Sequence, residues 1–417
     1  MAPWTHAESG ENTMAMTSRE RVRAALAGEE PDRVPLDCGG TEVTGLHGIA
    51  YNALKEHLGF KGGSTRLFHI YMQLAAVEAS VRERFHGDVV RLSIEAKQWK
   101  PWTLADGSPC EVPEGWNPVR IEDGSEALMG MDGKPLIKRL PDAPWYSPVG
   151  PICPLIQEPG DIKQYGALLR MLDRSPWFDE SLDDVAARAK HLHIETDYAV
   201  AGIFGGHIFA QSQLIRGMDN FMCDLLANET LACALMDTLA QAHIEDFDAY
   251  ITAVGPYLDV VCISDDLGAQ QGPQLDPAMF RRLVKPYMKK LYGHMKSKMG
   301  DKKLFLHSCG SVYDLIPDLI EIGVDVLNPV QVSAASMDSK KLKAEFGNDI
   351  VFWGGGCDTQ RVLPLGSTQD VRDEVKRRID DFAPGGGYVF TQVHNIQPGV
   401  PPENIAAMFD AAWEFGG

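Results

Sequence analysis

Short, continuous apolar runs alternate along this chain with segments whose apolar residues recur every three to four positions. The runs lack the polar–apolar alternation of a half-exposed sheet, so they predict parallel strands that are buried on both faces. The segments between them have the period of helices that bury one side. Eight such runs occur, near residues 34, 88, 198, 258, 303, 324, 349 and 388.

Eight strand–helix units predict an α/β protein, specifically a single (β/α)8 TIM barrel. The alternative is an open, doubly wound sheet that binds a nucleotide. That alternative is disfavoured because no G-x-G-x-x-G sequence follows a predicted strand and opens a helix.

Single residues predict where some helices begin and end. Thr17 and Glu20 form an S/T-x-x-E capping box, which predicts a helix that opens at residue 17. Asp276 as N-cap and Gly300 as stop predict one helix over 276–300. Residues 68–85 are also predicted to be helical.

The barrel is expected to span residues 17–417, with an irregular insertion between its second and third strands. Residues 94–160 are rich in Pro, Gly and Trp and have little helical period, which predicts β-hairpins rather than a second domain. Residues 1–16 lack the basic start and apolar centre of a signal peptide, so we predict a disordered leader.

Acidic residues outnumber basic ones, with 58 Asp and Glu against 39 Lys and Arg, which gives a net charge of −19. This charge repels phosphate backbones and anionic lipids, so nucleic-acid and membrane-surface partners are disfavoured. No apolar run approaches the roughly 18 residues of a membrane helix. Eight cysteines in 417 residues are too sparse for a disulfide scaffold, so we expect thiols in a reducing cytoplasm.

Polar side chains follow the predicted strands at their carboxyl ends, where the active site of a parallel barrel lies. His307 and Cys309 are two residues apart at one strand end and therefore face the same side. Cys357 follows a later strand, behind three glycines that allow close approach. Two thiolates and an imidazole suit zinc, and three ligands leave a catalytic position open. The alternative is a buried histidine beside two inert thiols.

Adjacent acids follow the fourth predicted strand, and both are candidate catalytic residues. Such a pair serves either as helix caps or loop charges, or with one member facing the site. Strand alternation puts Asp266 on the same side as Cys262 and Ser264, whose small side chains suit a crowded barrel interior. We therefore predict that Asp266, rather than Asp265, faces the site and acts as the general acid.

Four further residues at strand ends are candidate substrate contacts. Glu42 is alternatively an oxygen ligand of the metal or a loop charge, and His207 is alternatively without a binding role. The other two directly follow the eighth run and should line its mouth. The set is Glu42, His207, His394 and Asn395.

Several long motifs within residues 17–417 resemble those of the uroporphyrinogen decarboxylase superfamily. They include ISDDLGAQQGP, LHSCGSVYDLIPDLIEIGVDVLNPVQ, FWGGGCDTQRVLPLGS and APGGGYVFTQVHNIQPGVPPENI. True decarboxylases of that superfamily hold the carboxylates of their substrate with an arginine-rich M-R-Q-A-G-R segment near the first strand. This chain has PLDCGGTEVTG there, without an arginine.

The other class in the superfamily comprises corrinoid-linked methyltransferases, whose H-x-C…C zinc pattern is matched by His307, Cys309 and Cys357. The resemblance implies zinc-dependent methyl transfer between a small O-methyl or S-methyl compound, such as a methoxylated aromatic, and a corrinoid cobalt. No corrinoid-binding D-x-H-x-x-G module is recognised, so the corrinoid is expected on a separate partner protein. A homodimer is expected from the resemblance alone.

Three alternatives stay open. The chain is a methylcobamide:thiol methyltransferase that works in the opposite direction, a metal-free decarboxylase or lyase in which Asp265 stabilises a protonated ring, or a non-catalytic partner of a corrinoid protein. About one zinc per chain would distinguish methyl transfer from the last two.

Overall fold

The computed structural model describes residues 15–130, 133–166 and 176–417, so residues 1–14 of the predicted leader lie outside the described residues. Within these ranges, seven strands form one parallel sheet whose spatial order follows the chain. They are Val89–Leu92 (β1), Ala199–Gly205 (β2), Val260–Ser264 (β3), Lys303–His307 (β4), Val326–Asn328 (β5), Val351–Trp353 (β6) and Tyr388–Val389 (β7).

The order of the strands decides between the two predicted architectures. A parallel sheet that adds its strands in chain order grows in one direction and curls as it twists. A doubly wound sheet instead reverses its order at a switch point. The structure is therefore a mixed α/β fold with a curled parallel sheet, consistent with a TIM-like fold, and it is not doubly wound.

The predicted first strand is reduced to a single bridge around Leu36, which pairs in parallel with Phe390. The Asp37 N–H donates to the Phe390 carbonyl over 2.9 Å, and the Asp88 N–H donates to the Leu36 carbonyl over 2.7 Å. Pro35 has no N–H to continue the ladder. The sheet consequently has seven full strands where the sequence predicts eight, and the Leu36 segment lies between its edges.

Helices cover the outer face of the sheet, and the predicted capping box of Thr17 and Glu20 is confirmed. No helix in the described ranges is both long and apolar enough to cross a bilayer. The helices are Ser18–Leu26 (α1), Gly48–His57 (α2), Ala79–Arg84 (α3), Leu182–Glu195 (α4), Phe209–Arg216 (α5), Met218–Ala227 (α6), Glu229–Val254 (α7), Pro277–Met279 (α8), Lys285–Met299 (α9), Ile316–Glu321 (α10), Ser339–Phe346 (α11), Val362–Leu365 (α12), Thr368–Phe382 (α13) and Pro402–Phe415 (α14).

The helix predicted over 276–300 begins and ends as expected but is interrupted. Asp276 accepts the N–H groups of Ala278 and Met279 as N-cap, and Gly300 follows the last residue. Between α8 and α9 the chain forms a short π-helix over Phe280–Val284. Pro286 has no N–H for the α-helical bond to residue 282, which explains a wider turn at this point.

The helix predicted over 68–85 is wrong for most of its length. Only Ala79–Arg84 is helical, while Leu67–His69 and Leu74–Ala75 are short antiparallel strands. Leu74–Ala75 also pairs with Leu46–His47. The pairing with distant residues overrides the local helical pattern, as short apolar segments often allow.

The predicted insertion contains two antiparallel sheets between β1 and β2. Trp99–Thr103 pairs with Pro109–Pro113, and a second sheet has four strands. Both pack on a small apolar cluster that includes Trp116 and Tyr146. The four strands are Val119–Arg120, Glu126–Met129, Pro135–Arg139 and Ser147–Pro148.

Helix α1 closes the amino-terminal end of the curled sheet. Its Val22, Ala25 and Leu26 belong to the apolar cluster inside the sheet, together with Phe305 and Trp353. A larger cluster lies between the sheet and the other helices. The amino ends of the strands are therefore filled by apolar packing, and the carboxyl ends are left for polar groups.

Buried carboxylates hold α1 to the amino ends of the strands. Asp88, which precedes β1, is fully buried and accepts Arg21 and Arg33 at 2.7 Å each. Asp259, which precedes β3, accepts Arg23 at 2.7 Å. A buried carboxylate with several charge-assisted bonds is satisfied, but removing it takes a partner from each group that it binds.

We expect Asp88→Ala to lower the free energy of unfolding by about 3–5 kcal/mol, because Arg33 loses its carboxylate partner, Arg21 keeps only Asp32, and the buried Leu36 N–H loses its acceptor. Urea denaturation measures the loss. The matched control is Asp410→Ala, which breaks an exposed pair with Arg84 and should cost below about 1 kcal/mol. Equal losses in the two variants would contradict this role of Asp88.

Candidate active site

Three side chains with metal-binding atoms converge at the carboxyl end of the sheet. They are His307 at the end of β4, Cys309 two residues later, and His394 in the segment after β7. One ligand atom of each lies within 4.8 Å of the others. The Cys309 Sγ is 3.2 Å from the His307 Nε2, and the two imidazole rings are 5.2 Å apart, edge to face. The predicted pairing of His307 with Cys309 is thus seen in the geometry.

Cys357 does not join this group. It is fully buried in the outer apolar layer, and its Sγ lies 3.9 Å from the Glu374 carboxylate of α13. The preceding glycines explain the direction: Gly354 has φ +125°, and a Cβ there would lie 2.3 Å from the Pro329 carbonyl. The glycines allow two turns to pack closely against each other, and they do not bring Cys357 to the candidate metal ligands. His394 stands where the sequence led us to expect Cys357.

The two adjacent acids point in different directions. Asp265 is fully buried, and its carboxylate accepts the N–H groups of Ile208, Phe209 and Ala210 over 2.7–2.9 Å. These N–H groups lie at the amino end of α5, so the Asp265 carboxylate caps that helix from a neighbouring strand end. Burial raises the pKa of Asp265 despite these bonds.

Asp266 lies on the side of the candidate ligands, as strand alternation predicts. Its Oδ1 accepts the Cys309 N–H over 2.8 Å and is 3.9 Å from the His307 Nε2. The side chain is 47 % exposed, so its carboxylate also has access to solvent. Its role as a general acid stays a prediction.

Burial sets the protonation of the candidate ligands. It lowers the pKa of His394 to about 3, with a further lowering from His307, so the imidazole is neutral near pH 7. Burial and the neighbouring Asp266 raise the pKa of the Cys309 thiol. A neutral imidazole has a lone pair for a metal, and a divalent cation is the kind of charge that would deprotonate such a thiol.

A cavity of about 510 Å³ is lined by two of the predicted substrate contacts, Glu42 and His207, while the three candidate ligands are not among its lining residues. Aromatic rings line it from several elements, among them Phe68 and Tyr71. Its size is typical of a pocket for a small organic molecule. The backbone carbonyl of Glu42 accepts a hydrogen bond from the Asn395 side chain, and Asn395 directly follows the candidate ligand His394. Glu42 therefore connects the cavity to the candidate ligands.

Asn395, a predicted substrate contact, instead holds the loop that contains Glu42. It is buried; its Nδ2 donates to the Glu42 carbonyl over 3.1 Å, and its Oδ1 accepts the Gly45 N–H over 2.6 Å. His394 turns towards the ligand group, so adjacent residues serve two purposes. Only His394 of this pair reaches the candidate metal site.

The sequence pattern did not single out Arg91, a buried cation that contacts the cavity-lining ring of Phe68. It is paired with Ala201 in the sheet, its side chain is 8 % exposed, and its guanidinium lies 3.8 Å from the centre of the Phe68 ring. Glu95 is 3.3 Å away, and burial lowers the pKa of Arg91 to about 10. The signal was present, because Arg91 shares its strand face with the inward Val89.

The comparisons with known proteins agree on one family description. Residues 152–415, more than half of the chain, match the family model of uroporphyrinogen decarboxylase (URO-D). The uroporphyrinogen decarboxylase of Syntrophotalea carbinolica is 28% identical over 219 residues, 51% of this chain and 54% of that protein. The one from Alkalilimnicola ehrlichii is 47% identical over 45 residues, 11% of this chain and 12% of that protein. The chain thus spans at most about half the length of these relatives.

A solved structure has a similar fold. It is a methyltransferase from Methanosarcina mazei, with a TM-score of 0.58 and 19% identity over 96% of this chain and 100% of that one. At this identity the likeness establishes a common fold.

We expect the two acids to differ in what they stabilise. Asp265→Ala removes a buried helix cap and should lower the free energy of unfolding by about 1–3 kcal/mol. Asp266→Ala, at a half-exposed position, should change it by less than about 0.5 kcal/mol. Urea denaturation of both variants measures the difference, and a larger loss in Asp266→Ala would contradict the capping role of Asp265.

Proposed function

This chain belongs to the uroporphyrinogen decarboxylase family, and from that membership we propose that it is a zinc-dependent, corrinoid-linked methyltransferase. The observation that carries the proposal is the convergence of His307, Cys309 and His394 at the carboxyl end of the sheet. The common fold with a methyltransferase supports it.

The donor set fits zinc. One thiolate and two neutral imidazoles are ligands that zinc prefers, and three protein ligands leave a position for a substrate atom. His307 would bind through Nε2 and Cys309 through Sγ, and His394 completes the set in place of Cys357. The low pKa of His394 favours the neutral ligand form near pH 7.

Bound zinc would supply a Lewis acid that stabilises the heteroatom of an O-methyl or S-methyl group as it leaves. A corrinoid on a separate partner protein would supply the Co(I) that accepts the methyl group, and the leaving heteroatom would keep the electron pair of the broken bond. Asp266 is half exposed, so it could take up a proton from solvent and pass it to the leaving atom. Asp265 has no part in the reaction, because α5 engages its carboxylate.

The cavity lined by Glu42 and His207 is proposed to bind the methyl donor. Its volume of about 510 Å³ suits a methoxylated aromatic, and Phe68 and Tyr71 offer rings for stacking. We also propose that the Leu36 segment acts as the eighth strand of a closed barrel, since it is bonded on both sides. A cytoplasmic location and a homodimer stay predictions.

A second candidate function is decarboxylation, which the descriptions of the curated relatives favour. The electrostatics of the cavity oppose it for a polyanionic substrate. Its lining includes Glu42, Glu180 and Asp246, and within the described part of the chain no lysine or arginine. The lining therefore offers a substrate with many carboxylates no cation of its own, and Glu180 already engages Arg188 at 2.5 Å.

Purified protein is expected to contain about one zinc per chain. His394→Ala and Cys309→Ser should each remove most of it, because each deletes a proposed ligand. Cys357→Ser is the matched control for thiol loss and should keep it, since that thiol lies beside Glu374. Elemental analysis measures the ratio; zinc loss in Cys357→Ser with retention in His394→Ala would restore the ligand set predicted from the sequence.

The proton donor can be tested with methoxylated aromatics and cob(I)alamin in place of the partner protein. Asp266→Asn should lower the methyl-transfer rate by about 10²–10⁴ with zinc content unchanged. The loss should shrink for donors whose leaving phenol is more acidic, because such a phenolate needs less protonation. Asp380→Asn, on the exposed face of α13, is the control. A loss that is independent of the leaving phenol would argue against proton donation.

A further inference from the structure

We propose that Asn328 is a positioning residue that fixes the tautomer of His307, so that the lone pair of the imidazole lies on Nε2, towards the metal. The inference rests on the proposed zinc site for its purpose. The hydrogen bonds from which it is drawn belong to the protein itself.

A backbone carbonyl determines the orientation of the Asn328 amide. The Trp353 carbonyl can only accept a hydrogen bond, and the Asn328 Nδ2 lies 2.8 Å from it. The amide nitrogen must therefore face Trp353, because the opposite orientation would bring two oxygens together. The Asn328 Oδ1 is then directed away from Trp353, towards His307.

The oriented amide in turn determines the tautomer of the imidazole. The Asn328 Oδ1 lies 2.5 Å from the His307 Nδ1, and an amide oxygen can only accept. The proton of the neutral ring must therefore be on Nδ1, which leaves the lone pair on Nε2. Nε2 is the atom that lies 3.2 Å from the Cys309 Sγ.

The strands hold this pair rigidly. Asn328 is fully buried and sits opposite His307 in the register of β4 and β5. Its backbone carbonyl accepts the Ser308 N–H over 2.8 Å. Trp353 is also fully buried, and its Nε1 donates to the Asp37 carboxylate over 2.8 Å. Neither the amide nor the carbonyl has room to turn, so the tautomer is set before any metal arrives.

This arrangement should lower the cost of binding a metal. An outer hydrogen bond that fixes the ring and its tautomer typically changes metal affinity by 10–100-fold when it is removed. We therefore expect Asn328→Leu, which has no acceptor, to weaken zinc binding by about 10–100-fold. Asn328→Asp keeps an oxygen acceptor towards His307 but loses the donor towards the Trp353 carbonyl, so we expect it to recover only part of the affinity.

The matched control is Asn404→Leu. Asn404 is a buried asparagine of α14 whose Nδ2 donates to the carbonyls of Leu363 and Gly366, away from the candidate ligands. Its loss should destabilise the fold to a similar degree and leave zinc affinity unchanged. Competition with a chromophoric chelator measures the affinity of the full-length protein in each case.

The tautomer itself is measured without metal or substrate. In chelator-stripped protein labelled with ¹⁵N-histidine, the His307 ring should show a protonated Nδ1 and an unprotonated Nε2, with His307→Gln identifying the signals. Asn328→Leu should lose this state, and Asn328→Asp should keep it. A proton on Nε2 in the unaltered protein overturns the inference.

The outcomes for the inference and for the proposed function can be told apart. If the unaltered protein has the expected tautomer but binds no zinc, the proposed function fails and the metal-positioning part of this inference fails with it. If it binds zinc and Asn328→Leu weakens binding no more than Asn404→Leu does, the zinc site stands and Asn328 has no positioning role.

Discussion

Backbone hydrogen bonds on either side of Leu36 connect the edges of the sheet, and the candidate site depends on that connection. They join the segment to Asp88 before β1 and to Phe390 after β7. Because all strands are parallel and the sheet curls towards this segment, their carboxyl ends converge. His394 can consequently reach His307, although the two residues are far apart in the chain.

The two ends of the sheet have different chemistry. At the amino ends, α1 fills the interior with apolar side chains, and Asp88 and Asp259 pair with its arginines or their neighbours. At the carboxyl ends, two imidazoles, a thiol and the Asp266 carboxylate lie close together. This separation allows the ligands to change without a direct cost to the packing that stabilises the fold, as in parallel barrels generally.

The geometry of the candidate ligand group also depends on residues outside it. Asn328 orients His307, Trp353 orients Asn328, and Asp266 is fixed to the backbone of Cys309. Burial keeps the Cys309 thiol and the His394 imidazole uncharged near pH 7, because it raises the pKa of the first and lowers that of the second.

The local sequence pattern predicted the features that depend on one continuous segment of the chain. The strand runs, the capping box at Thr17, the juxtaposition of His307 and Cys309 and the inward side of Asp266 follow from the periods of strands and helices. The third candidate ligand could not be predicted in this way, because its position depends on the direction in which the chain leaves a distant strand. Glycine freedom sends Cys357 outward, and the curl of the sheet brings His394 in. Only the tertiary structure decided this, since the side chains that meet across a curled sheet are selected by loop geometry and not by sequence spacing.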